Sequence, residues 1–178
     1  VKLRFITCAQ EGLGRDLRKG VTDLAFLLAD SIQSIDLAAE ILGIERLVFI
    51  AAPDHPLAQL DEFKTEMLVH HTLLLSRVDC SYRRILEQML QEQKCEPKMI
   101  LEFNSVAAII SSVAAGLGVT LIPKIAVNSH SLSDKLALLP WNQDDLEVAQ
   151  LMIWHQDKWL TPVLKEFMNV AREVLEKG

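Results

Sequence analysis

Several things are scarce in this sequence. Nowhere do apolar residues run to the ~18 that a membrane-crossing helix needs. The opening residues, VKLRFITCAQ, lack the long apolar core of a secretory leader. No cluster of lysine and arginine stands out, and the net charge is −6, so this stretch is not built to grip nucleic acid. There are three cysteines, Cys8, Cys80 and Cys95, an odd number at wide spacing, which fits a reducing, cytoplasmic setting. Cys80 and Cys95 flank a predicted helix, which holds them about 20 Å apart at ~1.5 Å per residue. A disulfide is excluded there, because it needs Cα atoms within about 7 Å. The five histidines form no HxxxH or HExxH pattern and the cysteines no CxxC, so neither a metal nor another cofactor is expected. No phosphate-binding glycine loop, nucleophile elbow, repeat or low-complexity tract is visible.

What is present is apolar character in short, patterned pieces. Half of the 178 residues are hydrophobic, enough for one large domain or two small ones. The clearest piece is residues 99–123, MILEFNSVAAIISSVAAGLGVTLIP. A short apolar run at 99–103 predicts a buried strand. Asn104 and Ser105 are both good N-cap residues. Behind them Val106, Ile109, Ile110, Val113, Ala114 and Leu117 recur at helical spacing. Gly116 or Gly118 can take the positive φ that stops a helix. Residues 119–122 predict a second strand, ended by Pro123. The helical crossover implies parallel strands. It also aims the N–H groups that begin the helix outward, toward an anion or a polar ligand atom. The competing reading is that Ser105 only caps its own helix.

Taken in order, residues 1–9 alternate as a strand. Leu13, Leu17 and Val21 mark a short helix over 12–19, stopped at Gly20. DLAFLL at 23–28 predicts a buried strand, and 29–43 a loop with a helical turn near 35–42. Further strands are predicted at 45–53, 71–76, 136–139 and 147–154. Residues 61–67 predict a short amphipathic helix. A clear helical face of Tyr82, Ile85, Leu86, Met89 and Leu90 runs to Gln93. Residues 124–133 predict a helix start or a loop. Thr161 and Pro162 read as N-cap and N1 of a last helix, whose buried face is Val163, Phe167, Val170, Ala171 and Val174. The three tryptophans are expected to pack. Strands alternating with helices make this an α/β chain.

Four motifs carry a resemblance. Residues 17–26, LRKGVTDLAF, resemble the "L-x-x-G-x-x-D-L-A" segment of LysR-type transcriptional regulators. ERLVFI followed by Asp54, His55, Pro56, Leu57 and Ala58 is similar to that family's strand and "D-H-P-L-A" corner. VAAGLGV with Leu121, Ile122 and Pro123 resembles its "V-x-x-G-x-G-[IV]-x-x-[LI]-P" signature, and residues 161–173 its closing helix. The resemblance implies a type 2 periplasmic-binding-protein-like fold: two Rossmann-like lobes joined by two crossing strands, with a small effector between them. Lobe one would be residues 1–50 with 125–178 and lobe two 53–123, crossing near 51–53 and 123–124. The family's winged helix-turn-helix and the first strand and helix of lobe one have no counterpart here. DNA would then be met only through a domain outside this chain, by a homodimer or homotetramer and with no membrane.

On that reading the effector site collects Asn104, Ser105, Ser76, Cys80 and Ser81 from lobe two, Ala52 and Pro123 from the crossings, and Leu28, Ala29 and Asp30 from lobe one. Serine and asparagine bind a carboxylate through neutral donors without burying a charge. Ser81 reads equally as a cap for the helix beginning at Tyr82, and Arg83 and Arg84 as a solvated helix face. Cys80, beside a helix start, would have its thiol pKa lowered there and opposed by Asp79. Two other classes use this scaffold: a transporter's solute-binding protein, which a leader and a neighbouring permease gene would favour, and an enzyme, for which no motif speaks. An upstream helix-turn-helix would favour the regulator.

Overall fold

The computed structural model describes residues 2–6, 12–29, 35–78, 80–141 and 146–175. They divide into two compact units, Val1–Ile44 with Ala149–Gly178, and Glu45–Val148. The chain passes between units inside two long strands, β2 (Leu37–Ala51) and β7 (Glu147–His155). The divisions thus fall at 44/45 and 148/149, where lobes bounded near 51–53 and 123–124 were expected. The reason is pairing. Leu47–Ile50 of β2 pair antiparallel with β5 (Thr120–Pro123), and Ile50 and Ala51 with β6 (Ala137–Leu138). The second half of β2 and residues 125–148 therefore belong with the second unit.

In the first unit, α1 (Leu13–Arg18) buries Leu13 and Leu17 against β1 (Ala25–Ala29) and β7. β1 pairs antiparallel with β7, Ala25 opposite Ile153 and Ala29 opposite Ala149. Residues 2–6 are exposed and irregular, not the strand expected at 1–9, whose remaining residues lie outside the described ones. Residues 37–42 are strand, not a helical turn. Their burial varies along β2 without a helical period.

The last helix, α5 (Pro162–Leu175), begins as expected, Thr161 Oγ1 accepting the Leu164 N–H at 3.3 Å. Of the expected buried face only Ala171 packs on this unit's Leu42–Met152 core. Leu164, Met168, Ala171 and Leu175 pack on Leu42 and Met152. Val163, Val170 and Val174 are each about half exposed. Phe167 instead meets Phe5 and Phe26, at centroid distances of 6.1 and 6.3 Å. Arg172 anchors the helix through a two-pronged pair with Glu40 at 2.6 and 2.9 Å. Replacing Thr161 with Ala is expected to cost about 1 kcal/mol, the usual worth of such a cap, read by urea unfolding. Trp159 is 83 % exposed and does not pack.

The second unit contains the element read first from the sequence. β4 (Met99–Glu102), α3 (Val106–Ala114) and β5 form in that order. The two strands are parallel, but they are not neighbours. β3 (Thr72–Leu75) lies between them, pairing in parallel with β4 and bridging in parallel to Val119 just ahead of β5. β4 is therefore the outer strand, and Met99 and Ile100 are about half exposed, although an apolar run predicted burial. Gly116 takes the positive φ, +81°, and ends α3. α2 (Ser81–Glu92) buries Tyr82, Leu86 and Leu90, as its spacing predicted. The helix expected at 61–67 is a 3-10 segment displaced to Thr65–His70. Residues 124–128 form the short helix α4 (Lys124–Asn128), whose first turn is closed by buried Glu45 accepting the Ile125 N–H at 2.9 Å. Phe49, Phe63 and Trp141 pack together with centroids 4.9–5.8 Å apart. Cys80 and Cys95 are free thiols, with α2 between them; Cys8 lies outside the described residues.

Candidate functional site

The candidate site is the carboxyl edge of the three parallel strands in the second unit. Thr72 is level with Met99 and Leu75 with Glu102, and the Phe103 N–H continues the ladder onto Leu75 O at 2.9 Å. Leu73 is level with Val119. Counting on, Ser76 and Phe103, each just past its strand, fall level with Ile122, and Pro123 ends β5 one residue beyond. α2 starts from the first of these ends and α3 from the second, so both helix N-termini rise from one edge. Aligned peptide dipoles and unsatisfied N–H groups make such an edge receptive to an anion or an acceptor atom.

Several side chains here make no capping or hydrogen bond among the described residues. Ser105 is the N-cap of α3, in extended conformation (φ −142°, ψ 129°), yet its side chain closes no cap bond. Plain capping, the competing reading for Ser105, is not what it does. Asn104 and Ser105 are exposed. The N-cap of α2 is Cys80, also without a side-chain cap bond, and Ser81 is the first helical residue and buried. Ser76 is 6 % exposed, and its Oγ has no hydrogen-bond partner among the described residues. A buried hydroxyl left unpaired costs ~1–3 kcal/mol, which makes it the most informative polar atom of the edge.

Arg83 holds this edge together, and the sequence reading placed it on a solvated face. It is 6 % exposed. Nη1 donates to Ser76 O at 2.7 Å, Nη2 to Glu102 Oε1 at 2.8 Å and Nε to Glu87 Oε1 at 2.7 Å. One guanidinium thus ties the end of β3 to the end of β4. Burial works against the Arg83 charge, and the hydrogen bonds to Glu102 and Glu87 outweigh it, so its pKa is raised. The bond from Arg83 in turn lowers the pKa of Glu102. The available signal was spacing: Arg83, Leu86 and Leu90 lie three and four apart, on one stripe. Each nitrogen of Arg83 already donates to a protein oxygen, and what the edge adds for a ligand is neutral: the Ser76 hydroxyl, the Asn104 amide, the Ser105 hydroxyl and backbone N–H groups.

The structure gathers Ser76, Cys80, Ser81, Asn104, Ser105 and Pro123 at this edge and places Ala52 at the opposite end of the same strands, while Leu28 and Ala29 belong to the first unit. Ala52 is buried, but β2 runs antiparallel to β5, with Ile50 opposite Thr120 and Leu47 opposite Pro123. Ala52 is therefore at the amino end of β5, and the β2 residue level with Pro123 is Leu47. Leu28 and Ala29 end β1 in the other unit, where they pair with Gln150 and Ala149. Ala29 is buried in that unit's core. Asp30 lies outside the described residues. A groove of about 1140 Å³ in the first unit, lined by Phe5, Phe26, Phe167 and Lys158 among others, contains none of the nominated residues.

Known proteins resemble the chain at the level of sequence and of fold. Residues 1–176 match the family described as LysR substrate binding domain. The uncharacterized HTH-type transcriptional regulator YwqM of Bacillus subtilis (strain 168) is 32% identical over 168 residues, 94% of this chain and 57% of its own. The HTH-type transcriptional regulator GltR of the same organism is 29% identical over 147 residues, 82% of this chain and 48% of its own. The chain spans about half the length of these curated relatives. Among solved structures, the regulatory domain of Synechocystis PCC6803 CcmR in complex with 2-PG superposes with a TM-score of 0.82 at 19% identity, over 94% of this chain and 80% of that one. At that identity the likeness establishes the fold alone, the periplasmic-binding-protein-like fold of such regulatory domains. Sequence and fold agree, and the chain belongs to the LysR substrate-binding domain family, the effector-binding domain of LysR-type transcriptional regulators.

Proposed function

We propose that the edge formed by Ser76, Asn104, Ser105 and Pro123 receives the oxygen-bearing end of a small effector, a carboxylate of single charge. The unpaired, buried hydroxyl of Ser76 carries this reading. The effector biases an equilibrium between two arrangements of the domain, and a DNA-binding part outside this chain reads the bias. The site binds its ligand without turning it over, and the whole protein works in the cytoplasm as a homo-oligomer. The family match and the regulator names of the relatives support that larger picture.

Thermal unfolding against a panel of small mono- and dicarboxylates tests the site. A compound present at a hundred times its Kd stabilises by about 2.7 kcal/mol. At roughly 2–4 °C per kcal/mol for a chain of this size, the midpoint should rise by roughly 5–10 °C. The Ser76→Ala variant should fold with an unchanged or slightly higher midpoint and lose most of the response. A response of equal size in Ser76→Ala would remove Ser76 from the site, and a flat panel would count against the carboxylate.

A further inference from the structure

We propose that His55 and His71 form an acid-sensitive latch in the second unit, two neutral imidazoles packed ring on ring that hold the corner after β2 against the segment leading into β3. Their centroids are 4.7 Å apart, with the planes inclined at 54°. The corner is folded by the His55 N–H donating to Ala52 O at 3.0 Å. His55 Nδ1 then accepts the Leu57 N–H at 3.2 Å and so caps the 3-10 turn Pro56–Gln59, whose Leu57 is buried. His71 closes the segment Thr65–His70, its N–H donating to Leu68 O at 3.0 Å, and the next residue begins β3.

This geometry admits one protonation state. A ring nitrogen that accepts a hydrogen bond carries no proton, so neutral His55 has its proton on Nε2. Protonating Nδ1 sets two N–H groups against each other and destroys the cap. Charging both rings adds repulsion between like charges whose ring centroids are 4.7 Å apart. The surroundings agree. Burial first, then His71, oppose a charge on His55, and Asp54 alone favours it. Burial first, then His70 and Lys98, oppose a charge on His71. Both rings are held below the ordinary histidine range. The unfolded chain takes up these protons near pH ~6.5, and the folded chain resists to lower pH. Between those points the unfolded state binds more protons, so the latch's contribution to stability is full above pH ~6.5 and falls as the pH drops through the folded-state values.

The latch is independent of what binds at Ser76, and its test needs no ligand. The chain is melted from pH 8 to pH 5 as wild type and as a double variant, His55→Asn with His71→Phe. Asparagine can still cap without titrating, and phenylalanine keeps a ring in place. In parallel, the histidine ring protons of the wild type are titrated by NMR. The expected results are ring midpoints for His55 and His71 below the ordinary histidine value of ~6.5, and a wild-type melting temperature that drops below pH ~6.5 more steeply than the double variant's. Equal slopes for the two proteins, or either ring titrating in the ordinary range, would overturn the latch. Should the double variant not fold, the wild-type ring midpoints decide alone.

Discussion

Replacing Gly118 with Ala is expected to abolish most of the stability of the second unit. A Cβ at this position would stand 2.2 Å from Thr72 O, 2.8 Å from Leu74 Cδ1 and 3.0 Å from the Thr72 carbonyl carbon. Two of these atoms are backbone of β3, which no rotamer change can move aside. The same Thr72 carbonyl accepts the Val119 N–H at 2.9 Å, and Val119 O accepts the Leu74 N–H at 2.9 Å. Making room for a methyl group means separating β5 from β3 and losing both bonds, on strands whose side chains, Thr72 apart, are all buried. Clashes of this kind lie in the rare tail of single substitutions, above about 4 kcal/mol, against a total of ~5–15 kcal/mol for a domain.

Gly116 is the matching control. Its φ is +81°, yet a Cβ there meets nothing within 4 Å. Gly116→Ala should cost only the strain of a left-handed residue, about 1–2 kcal/mol. Urea unfolding and amide exchange at Leu74 and Val119 separate the two. If Gly118→Ala stays within about 1 kcal/mol of wild type, the close approach of these strands is wrong.

That pair of glycines shows what the sequence discloses. Both were readable as helix stops, because a stop is a local event. Which one turns the chain and which one admits a neighbouring strand depends on β3, more than forty residues earlier in the sequence. The same limit explains the other differences. The strand–helix–strand order at 99–123 was readable, and so was the parallel sense, but not the insertion of β3 between the two strands. Hence Met99 and Ile100 are half exposed where an apolar run predicts burial. α5 carries two apolar stripes, Val163/Phe167/Val170/Val174 and Leu164/Met168/Ala171/Leu175, one residue apart. Amphipathic periodicity cannot choose between them, and packing on Leu42 and Met152 does. At the candidate site, Ser76, Ser81, Asn104 and Ser105 were readable as small polar residues where strands give way to helices. Ala52 was misplaced because the antiparallel course of β2 beside β5 leaves no mark in local sequence. Arg83 was missed because an arginine on a helix reads as solvent-facing unless its buried acceptors are known.

Arg83→Ala is therefore the second substitution expected to have a large effect, a loss of about 2–3 kcal/mol. The figure is set by what stays behind. Glu87 and Glu102 are about half exposed as side chains and regain water, which brings the cost below that of a fully buried pair. Ser76 O loses its charged donor at a buried position, and the buried stem of the arginine leaves a gap. Arg172→Ala provides the contrast, because Arg172 and Glu40 are each about one-third exposed, and such pairs contribute at most about 1 kcal/mol. Arg83→Lys should recover little, since an ammonium on a thinner stem cannot serve three acceptors on different sides at once. The pH dependence identifies the cause. Arg83 lowers the pKa of Glu102, so this pairing contributes fully above the ordinary carboxylate range, near ~4.3. Its contribution is lost as the pH falls through the folded-state value. Between pH ~5 and ~3 the wild type should lose stability faster than Arg83→Ala, and their unfolding midpoints should converge. Parallel curves through that window would mean that Arg83 acts through packing alone, and that the ends of β3 and β4 are held in place without its charge.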